Sequence, residues 1–225
     1  MSLFPVPAIC LVTDRRRLCP DARTEADALL RLEAWLDEAI GRIDLIQIRE
    51  RDLEGRALLA LADRLARRAR GTRTRLLVND RPDIAIAAGL DGVHLRGSGP
   101  EVSRIRALGR PEWIVGRSVH GQDDVRAQAA ADYLIFGTVF PTGSKPPGTR
   151  AQGTEALAGV VRAAGCPVLA IGGITPSRAR ACIEAGAAGV AAISVFFPEG
   201  RGQGALGITR AVGELRAAFG LPPMS

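Results

Sequence analysis

The side chains best suited to moving protons or holding anions stand at the ends of short apolar runs. The run Leu45–Arg49 closes on Gln47-Ile48-Arg49-Glu50-Arg51. Alternate side chains of an extended segment share a face, so Gln47 and Arg49 point together and Ile48 points away. A guanidinium held at the end of an apolar run needs an anion, either a neighbouring carboxylate such as Glu50 or Asp80, or a ligand. The run Arg75–Asn79 leads into Asp80-Arg81-Pro82. Because Pro82 suits the first turn of a helix, Asp80 has three candidate duties: capping that helix, orienting Arg49, or meeting a ligand. His94 closes Asp91-Gly92-Val93-His94 and reads equally as a core histidine bonded to backbone. His120 follows Gly116-Arg117-Ser118-Val119, with Ser118 one alternation earlier. A neutral imidazole at that point can exchange protons with a ligand near pH 7.

Anion chemistry is written more plainly towards the C-terminus. Phe140-Pro141-Thr142-Gly143-Ser144-Lys145-Pro146-Pro147-Gly148 offers the hydroxyls of Thr142 and Ser144 and the point charge of Lys145. It is also long enough to work as a lid. Gly172-Gly173 follows Ala170-Ile171, and Ser194 follows Ala192-Ile193. Small residues at such places let backbone N–H groups approach phosphate oxygens closely. The structural alternative is a tight turn at Gly172-Gly173, with Thr175-Pro176 starting the next helix.

Positioning these groups requires a repeated unit, and the sequence supplies one. Short, nearly continuous apolar runs span Ala8–Thr13, Leu45–Arg49, Arg75–Asn79, Gly92–Leu95, Trp113–Ser118, Tyr133–Gly137, Pro167–Ile171 and Gly189–Ser194. Strands buried on both faces have this character. Helix-period stretches alternate with them: Thr24–Ile40, Leu53–Arg70, Gln122–Ala130, Thr154–Ala164, Pro176–Ala185 and Leu206–Phe219, with Gly186 placed as a left-handed stop. Eight such runs predict a (β/α)8 TIM barrel, read as one domain over residues 1–225. Active sites of these barrels lie at the carboxyl ends of the strands, and phosphates bind after strands 7 and 8. The chemical residues above are therefore expected around one mouth, with the phosphate on Gly172, Gly173, Ile193 and Ser194.

Composition narrows the function classes. Hydrophobic residues make up 47% and charged residues 24%, an ordinary globular balance. No apolar run approaches a membrane span, and Met1–Pro7 lacks the pattern of a signal peptide, so the expected location is the cytoplasm. Cys10, Cys19, Cys166 and Cys182 have neither CxxC spacing nor a nearby histidine, which argues against a disulfide set or a zinc site. The net charge of +6 tempts a nucleic-acid reading. The arginines are instead scattered along helical faces (Arg64, Arg67, Arg68, Arg70), as on solvated surfaces, and no base-reading element is evident. A homodimer is compatible with the fold class, but no interface can be read from the sequence.

In this order the elements resemble the family of thiamine phosphate synthase and its relative thiazole tautomerase. The resemblance runs from Leu11-Val12-Thr13-Asp14 to Ala192-Ile193-Ser194 and rests on Gln-Ile-Arg-Glu-Arg, Val-Asn-Asp-Arg, Asp-Gly-Val-His-Leu, Gly-Arg-Ser-Val-His, Phe-Pro-Thr-Gly-Ser-Lys and Ala-Ile-Gly-Gly-Ile. It implies a small phosphorylated thiazole as ligand. On the synthase pattern, Gln47, Arg49, Asn79 and Asp80 face an aminopyrimidine pyrophosphate and its magnesium, with Asp80 as metal ligand. Thr142, Ser144 and Lys145 match the loop that closes over the substrates. Two departures stand out: the acidic turn expected after His94 is Arg96-Gly97-Ser98-Gly99, and Arg51 replaces the usual lysine. The forms Ile-Arg-Glu-Arg and Gly-Arg-Ser-Val-His resemble the tautomerase branch. There His120 would shuttle a proton during aromatisation of a thiazole carboxylate phosphate, without metal or cofactor. The leading expectation is therefore an isomerase, a metal-independent thiazole tautomerase. The alternatives are a Mg²⁺-dependent thiamine phosphate synthase, a transferase, and a barrel that binds thiazole or thiamine phosphate without turnover.

Overall fold

A computed structural model of the chain describes residues 4–125, 130–143, 148, 150–200 and 206–223. Eight parallel strands close on themselves in sequence order: β1 (Ala8–Val12), β2 (Leu45–Ile48), β3 (Arg75–Asn79), β4 (Gly92–Leu95), β5 (Ile114–Val119), β6 (Tyr133–Gly137), β7 (Val168–Ile171) and β8 (Gly189–Ala192). The ring is completed by β1 against β8, with Ala8 opposite Gly189 and Leu11 opposite Ala192. The (β/α)8 barrel expected from the alternation is therefore the fold. Boundaries agree within a residue or two, and β8 gives way at Ser194–Phe196 to a short 3₁₀ turn.

Helices surround the ring: α1 (Arg15–Leu18), α2 (Glu25–Ala39), α3 (Gly55–Ala69), α4 (Pro82–Ala88), α5 (Val102–Arg106), α6 (Gln122–Val125), α7 (Gly153–Ala163), α8 (Pro176–Glu184) and α9 (Ile208–Ala218). Their starts follow local chemistry. The Thr24 side chain accepts from the Asp27 N–H at 3.1 Å, and Thr175 accepts from Arg178 N–H at 3.3 Å just before Pro176. Gly186, with φ +90°, follows α8 in the left-handed conformation that the sequence suggests for it. In α3, Leu58, Leu61, Ala62 and Leu65 are buried at helical spacing. Helix α4 begins at Pro82, where the sequence marks a helix start, whereas the short helices α1 and α5 leave no apolar period to read in the sequence. Among the described residues no helix is long and apolar enough to cross a membrane.

Strand alternation sorts the core into two shells. Ile9, Leu11, Ile46, Ile48, Leu76, Val78, Val93, Val115, Leu134 and Ala170 face the helices. Ala8, Cys10, Leu45, Leu77, Ile114, Tyr133, Leu169 and Ala191 fill the barrel. Tyr133 is the bulkiest side chain in that inner shell, and it fits because β5 carries a glycine beside it. A Cβ on Gly116 would lie 2.2 Å from the Tyr133 ring. Above this layer the inward positions become polar at one end: Gln47, Asn79, His94 and Ser118.

Candidate active site

The carboxyl ends of the strands surround a cavity of about 410 Å³. From β2 and β3 it receives Gln47, Arg49, Arg51 and Asn79, and from β4 and β5 His94, Arg96, Gly97, Ser118 and His120. Thr142, Gly172, Gly173, Ile193 and Ser194 line its other side, and Val12, Ile135, Ile171 and Ala192 give it an apolar floor. Ser144 and Lys145 lie outside the described residues. Asp80 is displaced from this group. It lines a smaller neighbouring cavity, separated from the first by Arg51, Asn79 and Arg96, which border both.

Three of the cavity's residues, Gln47, Asn79 and Arg96, are tied together through Asp80. The Gln47 amide donates to Asn79 Oδ1 at 2.7 Å, and Asn79 Nδ2 donates to Asp80 Oδ2 at 2.9 Å. Asp80 Oδ1 accepts from the Arg96 N–H at 2.8 Å. Asp80 therefore does not cap α4, whose N-cap is Arg81 without a side-chain bond. Its carboxylate is turned to the loop after β4, with its own backbone at φ +57°, a conformation that aspartate tolerates better than most residues.

His94 is a core histidine, but its partners are side chains and not backbone. Nδ1 lies 3.0 Å from the Tyr133 hydroxyl and Nε2 lies 2.9 Å from Ser118 Oγ. Burial, reinforced by the charges of Arg117 and Arg49, pushes its pKa down to about 3, so the ring is neutral at pH 7. Tyr133 is fully buried, and among the described residues its hydroxyl proton has one acceptor, His94 Nδ1. Leaving a buried O–H unpaired is costly, so Tyr133 donates to Nδ1, and the Nε2–H of His94 donates to Ser118. Ser118 is thereby left with its own O–H directed to the cavity.

His120 is exposed at the mouth. Its Nδ1 lies 3.1 Å from the Gly137 carbonyl, which holds the proton on Nδ1 and leaves Nε2 beside Gly97. Arg49 is half-buried, and among the described residues its guanidinium has no hydrogen bond or ion pair; neither Glu50 nor Asp80 takes it. Burial, and then the neighbouring Arg51, press its pKa below the ordinary arginine value. Glu50 is engaged behind the site, where it accepts from Arg15 Nη1 at 3.0 Å and from the Arg15 N–H at 3.2 Å. That buried pair ties the loop after β1 to the loop after β2.

The glycines after β7 are required by space as well as by conformation. Gly172 has φ +105° and Gly173 φ +62°, and a Cβ on Gly173 would sit 2.4 Å from the Pro141 carbonyl oxygen. Among the described residues the backbone N–H groups of Gly173, Ile193 and Ser194 donate to no protein acceptor. They present unpaired donors to the cavity, as an anion cradle must. Asp14, Arg17 and Arg96 also line the cavity, and the sequence reading assigned them no role in binding. Asp14 ends the short connection past β1 as the N-cap of α1, and Arg17 lies within that helix. The rule that barrel chemistry gathers just beyond strand ends, applied to that segment as to the others, finds them.

A protein-family model described as thiamine monophosphate synthase matches residues 9–196 of the chain. The chain belongs to this family. A thiamine-phosphate synthase from Chlorobium luteolum is 41% identical over 68% of this chain and 74% of its own length. One from Chlorobium phaeobacteroides is 34% identical over 93% and 96%. The solved thiamine phosphate pyrophosphorylase from Pyrococcus furiosus superposes with a TM-score of 0.75 at 29% identity, covering 95% of each chain.

These relatives overturn the leading sequence expectation of an isomerase: they are named synthases, and nothing in the comparisons points to a thiazole tautomerase. The structure also explains why the motifs misled. Arg117 of Gly-Arg-Ser-Val-His does not enter the cavity. It lies on the helix-facing side of β5, where its guanidinium donates to the carbonyls of Gly97 (2.6 Å), Gly99 (3.2 Å) and Pro100 (2.5 Å). Glu50 of Ile-Arg-Glu-Arg is bound to Arg15. Both residues brace loops, a duty that does not distinguish one reaction from another.

The synthase family implies magnesium, which needs a suitable set of oxygen donors. Among the described residues no group of three or more His, Cys, Asp or Glu side chains is arranged to hold a metal. Both oxygens of Asp80 already accept N–H bonds, and the Arg96 guanidinium stands 3.8 Å away. Mg²⁺ asks for carboxylate oxygens at about 2.0–2.1 Å in octahedral order. The residues present do not fit a cation held on Asp80.

Proposed function

We propose that the chain is a thiamine-phosphate synthase, a transferase that joins a phosphorylated thiazole to an aminopyrimidine carried as its pyrophosphate. The observation that carries the proposal is the two-ended charge of the cavity. One end, from β7 and β8, offers unpaired backbone N–H groups to a monophosphate. The other, from β2 and β4, offers the guanidinium groups of Arg49, Arg51 and Arg96 to a more highly charged anion. The names and coverage of the relatives support the same reading.

In the proposed reaction the carbon–oxygen bond to pyrophosphate breaks and a carbon–nitrogen bond to the thiazole forms. Negative charge gathers on the departing pyrophosphate, where fixed guanidinium groups stabilise it without reorganising. The thiazole is held by its remote phosphate on Gly172, Gly173, Ile193 and Ser194, so binding energy there is converted into orientation at the reacting atoms. Gln47 and Asn79 fix one another and present polar edges to the pyrimidine, while Ser118, aligned by neutral His94, supplies a directed O–H. His120, through Nε2, and Thr142 border the same space. Ser144 and Lys145, which lie outside the described residues, are proposed as further substrate-binding residues from the resemblance to the synthases alone.

The test is a coupled assay on the purified chain with both substrates, following thiamine phosphate and pyrophosphate together. Equimolar appearance of the two is expected. Tight binding of the thiazole phosphate with neither product formed would overturn the reading in favour of a non-catalytic binding protein.

A further inference from the structure

The poor fit of Asp80 to a metal has a counterpart in the charge of the cavity. Arg17, Arg49, Arg51 and Arg96 all line it. Among the described residues Arg17, Arg49 and Arg51 have no carboxylate partner, whereas most arginines on the outer helices do, as in Arg64 with Glu33 and Arg210 with Glu214. Unpaired cations gathered in a cleft are a site for a polyanion.

The loop after β4 shows how one of them is placed. The Arg96 N–H holds Asp80 Oδ1 at 2.8 Å, its Nε stands 3.8 Å from Oδ2, and its side chain remains 62% exposed. The loop is fixed from behind by Arg117, which takes the carbonyls of Gly97, Gly99 and Pro100. A Cβ on Gly99 would lie 3.7 Å from Asp80 Oδ1, so position 99 is where a second carboxylate would share a cation with Asp80. The residue there is glycine, and the cation already beside Asp80 is a guanidinium.

We propose that Arg96, seated on Asp80, takes the place of a divalent cation, so that this chain binds the pyrophosphate group through arginines without a metal. The inference rests on the synthase reading for its ligand. It differs from that reading in what neutralises the ligand: a guanidinium offers paired N–H donors to phosphate oxygens, where a metal offers bare charge. Arg96 is anchored through its backbone N–H and by proximity to Asp80. Its exposed side chain lines the same cavity as Arg51 and the half-buried Arg49.

The experiment is calorimetric titration of the full chain with inorganic pyrophosphate, once with EDTA and once with excess Mg²⁺, alongside the coupled synthase assay. The wild-type chain is expected to bind pyrophosphate in EDTA, with Mg²⁺ changing the affinity by less than about threefold. Arg96→Ala should weaken binding in EDTA by about tenfold or more, the loss of a charge-assisted pair. In the double variant Arg96→Ala/Gly99→Asp, binding should return when Mg²⁺ is added, because two carboxylates then face one another across the vacated place. Pyrophosphate binding by the wild type only with Mg²⁺, while the coupled assay turns over, would overturn this inference and leave the synthase reading intact. Equal affinity of Arg96→Ala and wild type in EDTA would overturn it as well. No binding in either buffer together with no turnover would remove both.

Discussion

Replacing His94 with glutamine tests the polar layer under the cavity most directly. The ring is 1% exposed, and its burial, with Arg117 and Arg49 nearby, holds its pKa at about 3. An unfolded histidine titrates near pH 6.5. Between these values the unfolded chain binds a proton that the folded chain refuses, so stability is complete above about pH 6.5 and falls as the pH is lowered towards 3. At about 1.36 kcal/mol per pH unit, the loss from this one group between pH 7.5 and 4.5 is about 2.7 kcal/mol. That figure changes little so long as the folded pKa stays below 4.5. The variant forfeits the Tyr133 bond and starts about 1–3 kcal/mol lower at pH 7.5. Its further decline on acidification should be shallower than the wild type's by about 2.7 kcal/mol, because the carboxylates titrate alike in both. Urea denaturation at pH 7.5, 6.0 and 4.5 measures the two slopes. Parallel slopes would refute the claim that a neutral His94 is enforced by the fold.

Other expectations follow from single contacts. Gly173→Ala places a Cβ 2.4 Å from the Pro141 carbonyl at φ +62°. It should cost about 2 kcal/mol or more in urea denaturation and weaken inorganic phosphate binding in the same preparation. Glu50→Gln removes the charge opposite buried Arg15, and a loss of about 3 kcal/mol is expected, softened by the remaining contact of Arg15 with Asp52 at 2.8 Å. An unchanged denaturation midpoint would mean that this knot does not hold the first two loops together. Arg49→Ala leaves no intramolecular partner unpaired, so the fold should be unaffected while KM for the pyrophosphate substrate rises by about tenfold or more, read in the coupled assay.

The barrel was legible because its strands are buried on both faces and its longer helices repeat a clear apolar stripe. What escaped were elements too short to show a period, such as the four residues of α1, and duties set by three-dimensional neighbours. Gln47, Arg49, Asn79 and Ser118 could be assigned to the mouth by alternation and strand position alone. That Asp80 would turn to the backbone of Arg96, or that His94 would be held between Tyr133 and Ser118, depends on which strands adjoin. The partner of His94 on β6 lies 39 residues away. Arg117 shows the other limit: in the sequence it stands within a motif beside Ser118, yet alternation puts it on the far face of the strand. The tautomerase expectation came from the resemblance of Ile-Arg-Glu-Arg and Gly-Arg-Ser-Val-His to that branch and from the missing acidic turn after His94, and the named relatives overturn it.

The fit of Tyr133 against Gly116 also bears on how this barrel can change over generations. The ring occupies space that any side chain at position 116 would claim, so the two sites are coupled by volume. A chain that acquires alanine at 116 first passes through a state with two atoms in one place. A chain that first exchanges Tyr133 for a smaller residue passes through one with a hole beneath His94 and an unaligned Ser118. Neither intermediate keeps the barrel and its chemistry whole, and drift at one position waits on the other. The pair should therefore persist or be replaced together, and a lineage in which both have changed will have found another way to hold the ring above.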